Sequence, residues 1–182
     1  MHAVEKAALA GDEAPLVPNA ALRPQLDQLV LRIVKSADEA AAGELRAVSL
    51  ALAKGSSPLQ ARTFWRLSAG FFEALEQRLI KGDLFAKRAA SRVLQQYATL
   101  SKGDPSIADR LAYDLLFFCA NANKSEAPAP ALQAVRQAYR CAIRPPVDYD
   151  RARFGLFDPA ILQQARKRIA GAHEAWSAVS AG

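Results

Sequence analysis

The chain has 182 residues, 51% hydrophobic and 23% charged, with only 9 glycines and a formal net charge of +6. That length suffices for one domain with a real core, and the composition excludes disordered and collagen-like chains. The positive charges are dispersed and the densest cluster, Arg166-Lys167-Arg168, spreads around one helix. Basicity alone therefore does not point to nucleic acid.

Residues 1–11 read as a short helix through Val4, Ala7, Ala8 and Leu9, without the basic start and long apolar stretch of a signal peptide. Gly11, Pro15, Pro18 and Pro24 then interrupt the pattern. Residues 1–23 are expected to be a linker or tail, and 24–182 a helical bundle domain. Pro24 suits a first helical turn, followed by Leu26, Leu29, Val30, Ile33 and Val34 at spacings of three and four. Ser36 with Glu39 reads as a capping box opening a second helix, which carries Ala41, Leu45, Val48, Ala51 and Leu52 and stops at Gly55.

Ser57-Pro58 announces a third helix, predicted through Ile80 and rich in aromatics: Phe64, Trp65, Phe71 and Phe72. Its Leu67, Phe71, Leu75 and Leu79 form one buried stripe. Gly82 ends it and Asp83 caps a fourth helix. There Leu84, Ala86, Ala90, Val93, Leu94, Tyr97 and Leu100 mark the apolar face, with Lys87, Arg88, Arg92 and Gln95 largely elsewhere. Gly103 is a stop, and Asp104-Pro105 reads as a cap with proline opening a helix to Asn123.

That helix closes in Leu115, Leu116, Phe117, Phe118, Cys119 and Ala120, a block with almost no polar side. It is expected to be surrounded by other helices, the central post of the fold. The block is far shorter than the ~20 residues of a membrane span, so no membrane insertion is expected.

After Asn123, KSEAPAP reads as a flexible connection. A helix then runs from about Ala131 to Ala142 through Leu132, Val135, Ala138 and Tyr139, and Arg144-Pro145-Pro146 ends it. The segment from Val147 has no helical period. Asp158-Pro159 opens a last helix through Ile161, Leu162, Ala165, Ile169, Ala172 and Trp176. No alternating β-branched run and no repeat of solenoid length is present. The expected fold class is all-α, an antiparallel bundle of about seven helices.

The chemistry is sparse. Cys119 reads as a small buried hydrophobe and, with Cys141, as a thiol in a cytoplasmic chain rather than half of a disulfide. Of the two histidines, His2 lies at the terminus and His173 lacks partners at metal-ligand spacing, so it reads as a surface residue. There is no glycine-rich phosphate loop and no nucleophile elbow. Arg110 and Asp114 are placed to pair across one turn. No catalytic residue, cofactor or metal site is expected. Lys87, Arg88 and Arg92 form a basic helix face beside Gln95 and Gln96, which could touch phosphates but reads as solvated surface. The binding candidate is the loop in which Tyr149, Phe154 and Phe157 alternate with Arg151 and Arg153, residue types favoured as interface anchors. Its alternative reading is that Phe154 and Phe157 plug the bundle end while the charges pair locally.

Five stretches, TFWRLSAGFFEAL, DLFAKRAASRVLQQYATLSKGDPSIADRLAYDLLFFCA, LQAVRQAY, VDYDRARFGLFDP and QARKRIAGAHEAWSAV, carry a family likeness. From about Arg23 onward the chain resembles the N-terminal helical region of the CheA-like hybrid histidine kinases of the type IV pilus chemosensory system, of PilL/ChpA type, and the related scaffold protein FimL. Those kinases carry phosphotransfer domains marked by H-x-x-K-G. Here His173 is followed by Glu174, Ala175 and Trp176, and His2 lies outside any bundle helix, so no phosphoacceptor carries over.

The resemblance implies a phosphotransfer-like bundle that has lost or never had the activity. It would act as a non-catalytic scaffold in chemotaxis-like two-component signalling that controls twitching motility. Its partners would be neighbouring phosphotransfer or kinase domains, or scaffold proteins of the pilus pole. Two other readings stay open: a divergent phosphotransfer domain using His173, and a nucleic-acid-binding helical domain.

Overall fold

A computed structural model describes residues 14–141, 166–171 and 176. The chain divides into two compact units, Met1–Pro146 and Val147–Gly182. In the second unit, residues 166–171 and Trp176 are helical and exposed, within the last predicted helix.

Among the described residues, the first unit holds a 3-10 turn at Ala20–Leu22 and six α-helices: α1 (Arg23–Ser36), α2 (Glu39–Gly55), α3 (Leu59–Glu76), α4 (Leu84–Ser101), α5 (Asp109–Asn121) and α6 (Pro130–Ala138). No strand is present among the described residues. The all-α expectation holds. The connections between helices are short, two to eight residues, as in helical bundles.

Of the predicted caps, that at Asp83 forms, while those at Ser36 and Asp104 do not. Asp83 accepts from the N–H groups of Phe85 and Ala86 and so starts α4 as expected. The Ser36–Glu39 box is not used. Ser36 is still helical and its hydroxyl donates back to the Arg32 carbonyl, while Asp38 caps α2 by accepting from Ala41 N–H at 2.9 Å. That bond, helped by Arg32, holds the Asp38 carboxyl below its usual range. Asp104 does not open α5 either. It accepts from Ser106 N–H in a local turn, and the helix begins at Asp109.

The helix surrounded by others is α3, not α5. Every residue from Leu67 to Leu75 is buried, because α2, α5 and α6 pack on different sides of α3. Rings extend the core outward: Trp65 meets Tyr97 of α4 edge-on at 6.1 Å, and Phe71 meets Phe118 of α5 at 5.3 Å. On α5 only Leu111, Leu115 and Cys119 are buried, while Phe117 is 48% and Tyr113 70% exposed. The apolar block of α5 is thus half core and half surface.

Residues 14–22 carry ordered contacts of their own. Leu16 N–H donates to the Ala51 carbonyl, and the Leu16 carbonyl lies 1.9 Å from where a Cβ on Gly55 would sit. Only glycine admits the backbone this closely. Further on, the buried Tyr97 hydroxyl donates to the Asn19 carbonyl at 2.6 Å and accepts from Asn19 N–H at 3.0 Å.

Candidate interaction surface

The predicted binding residues Tyr149, Arg151, Arg153, Phe154 and Phe157 lie outside the described residues, as do His2 and His173. Among the described residues, no group of three or more His, Cys, Asp or Glu side chains is placed to hold a metal ion. No helix among them is long and apolar enough to cross a membrane.

The buried polar groups serve structure. Ala129, at the start of α6, has no side-chain acceptor, and Pro130 occupies the first turn. The missing cap comes from another helix. Glu73 of α3, only 2% exposed, accepts from Leu132 N–H at 2.7 Å and also bonds Ala131 N–H. A carboxylate at a helix N-terminus is favourably placed, yet burial prevails and pushes the Glu73 carboxyl above its ordinary value. At the other end of the same joint, Arg136 of α6 donates to the Cys119 and Ala122 carbonyls where α5 stops. Between the two clamps Cys119 is fully buried, its thiol 3.8 Å from the Leu67 carbonyl. Burial raises that thiol far above the usual cysteine range, so it is no nucleophile.

The loops between helices are fastened the same way. The connection read as flexible is tied down, since Gln77 donates to the Pro128 carbonyl at 2.8 Å and Asn123 N–H to the Leu79 carbonyl. Gln96, 6% exposed, donates to the Ser106 carbonyl at 2.7 Å and accepts from Ala108 N–H at 2.9 Å. It folds the 102–108 loop back and sets α5 antiparallel to α4. These interior carboxylate, thiol and amide groups are occupied in holding helix ends, and none converges with a second reactive group.

Two surface features remain. One is the outer face shared by α4 and α5. The predicted Arg110–Asp114 pair forms at 3.2 Å, and Asp114 also takes Arg92 of α4 at 3.2 Å. Sequence reasoning placed Arg92 on a basic helix face but missed its pairing with Asp114, because nothing in the chain fixes the register between two helices. Around this bridge lie exposed Arg88 and aromatic residues: Phe85 is 57% exposed and Tyr113 70%. The other feature is an open cleft of about 430 Å³ where α1 meets the loop after α3. Leu75 and Ile80 floor it and the Glu39–Arg78 ion pair crosses it.

The family described as FimL scaffold protein second domain matches residues 11–152. The match takes in the 3-10 turn, all six helices of the first unit and the residues from Tyr149 to Arg151 of the predicted loop. It ends before the last predicted helix. No curated protein and no solved structure matches the chain.

Proposed function

The chain belongs to the FimL scaffold protein second-domain family, and we propose that it is a non-catalytic scaffold of the type IV pilus chemosensory system. In this reading it holds phosphotransfer or kinase domains of PilL/ChpA type, or pole-localised scaffold proteins, in the cytoplasm, and so acts on twitching motility. The observation that carries the proposal is the family match. The interior supports it, because Glu73, Gln96 and Cys119 are engaged in helix capping, loop anchoring and packing. What remains for partners is surface, and binding on a rigid helical surface needs only complementarity. Docking through a helix face or through the loop around Tyr149 and Phe157 fits this role.

The test is reconstitution with a cognate kinase core. Purified chain, kinase and radiolabelled ATP are mixed, and the chain is then used to capture purified chemosensory components. The expected result is capture of at least one component with no phosphate retained on the chain. Acid-labile phosphate that disappears in a His173→Gln variant would replace this reading with a divergent phosphotransfer domain. Steeply salt-dependent binding of DNA or RNA without capture would replace it with a nucleic-acid-binding one.

A further inference from the structure

The outer face of α4 and α5 is exposed and carries unequal charge. Arg92 and Arg110 both lean on one carboxylate, Asp114, with side chains 55%, 84% and 30% exposed respectively. Arg88 is exposed one turn before Arg92 on the same helix. Two guanidinium groups therefore share one carboxylate, and Arg88 adds a third positive charge one turn along α4. A charge with two partners cannot neutralise a third, so the face keeps a positive surplus.

The register puts apolar anchors along this stripe. Because α4 and α5 are antiparallel and Arg92 meets Asp114, the turn holding Phe85 runs beside the end of α5 that holds Phe117. Tyr113 lies next to the Arg92–Asp114 bridge. Phe85 and Tyr113 present large rings to solvent at 57% and 70% exposure. From Phe85 to the level of Arg110 the stripe is about 16 Å long at 1.5 Å per residue, or about three helical turns. Aromatic and arginine side chains together are the residue types that anchor interfaces, and an amphipathic helix is read through anchors at spacings of three, four and seven.

We propose that the α4–α5 face is a docking surface for an acidic amphipathic helix of a protein partner. The partner's carboxylates would meet Arg88, Arg92 and Arg110, and its apolar stripe would cover Phe85 and Tyr113. A second copy of this chain fits poorly, since the same arginines would oppose each other. The inference rests on the scaffold reading and assigns that scaffold one partner chemistry and one surface.

The experiment titrates the full chain with a fluorescent synthetic amphipathic helix bearing glutamates beside a leucine stripe. Three comparison probes are used: the same composition scrambled, the same helix with lysines for glutamates, and a single-stranded RNA homopolymer. The expected result is binding of the acidic helix alone, weakened tenfold or more by Arg88→Glu and by Phe85→Ser. Lys102→Glu, outside the face, should change it less than twofold. Both face variants are checked for unchanged helical signal and unfolding midpoint, and if one misfolds, Tyr113→Ser takes its place. Equal binding of the scrambled or lysine helix, preference for RNA, self-association that masks the face, or indifference to the face variants would overturn the proposal. If Arg88→Glu still captures chemosensory components as the native chain does, this docking surface is wrong and the scaffold reading stands. Loss of all capture by the native chain would strike the scaffold reading instead.

Discussion

Helices α3 and α5 carry similarly dense apolar text, Leu67–Leu75 in one and Leu115–Ala120 in the other, and meet opposite fates. On α3 every one of nine consecutive residues is buried. On α5 a single stripe of Leu111, Leu115 and Cys119 faces inward while Phe117 and Tyr113 face out. What separates them is coverage rather than the number of neighbours. Helix α3 has α2, α5 and α6 packed on different sides, whereas α3, α4 and α6 pack on α5 and still leave its flank of Tyr113 and Phe117 exposed. Apolar density tells how much surface a helix would lose by being covered. It does not tell how much of that surface the neighbours will cover.

Substitutions can break this contrast. Phe71→Ala removes a ring fully buried between Phe72 and Phe118 and should cost about 3–5 kcal/mol in denaturant unfolding. A cost near 1 kcal/mol would mean that α3 is not the enclosed helix. Leu115→Ala tests the inward stripe of α5, where Leu115 is 0% exposed, and is expected to cost about 2–4 kcal/mol. Two residues earlier, Tyr113→Ser should change stability by no more than about 0.5 kcal/mol, which would place the boundary of the core between opposite faces of one helix.

Between these extremes sits Glu73, whose carboxyl burial raises. The unfolded chain then gives up this proton at lower pH than the folded one. Stability from this group is full below the ordinary carboxylate range and is lost as pH rises through the raised folded value. Glu73→Gln keeps an acceptor for Leu132 N–H and cannot ionise. The difference in unfolding midpoint, variant minus native, should therefore move in the variant's favour as pH rises from roughly 4 to 7. A flat difference across that range would mean that burial does not govern this carboxyl. Subtracting the two curves cancels Asp38 and Asp104, whose lowered values give the opposite slope.

Much of the fold was legible because its punctuation is local. Gly55, Gly103 and Asp83 act on their own neighbours and perform as read. The failures come from competing partners, some close in the chain and some distant. Ser36 lost its capping role when α1 continued through it and its hydroxyl found Arg32. Asp104 lost its own to the turn that Gln96 helps hold from across the loop. The cap of α6 comes from Glu73, 59 residues away. One signal for it was present: a lone carboxylate inside Phe71-Phe72-Glu73-Ala74-Leu75, facing a later helix that begins without an acceptor. The α4–α5 face was half legible. The Arg110–Asp114 spacing is written in the chain, but Arg92 enters only through packing.

The sealed thiol of Cys119 turns the joint of α3, α5 and α6 into a clock. With no access and a raised thiol pKa, Cys119 reacts with a disulfide reagent only when α5 or α6 lifts away from α3. Cys141, partly exposed, reacts without waiting and marks time zero. The lag between the two modifications reads how often the scaffold opens at that joint, in the native chain and without any introduced label.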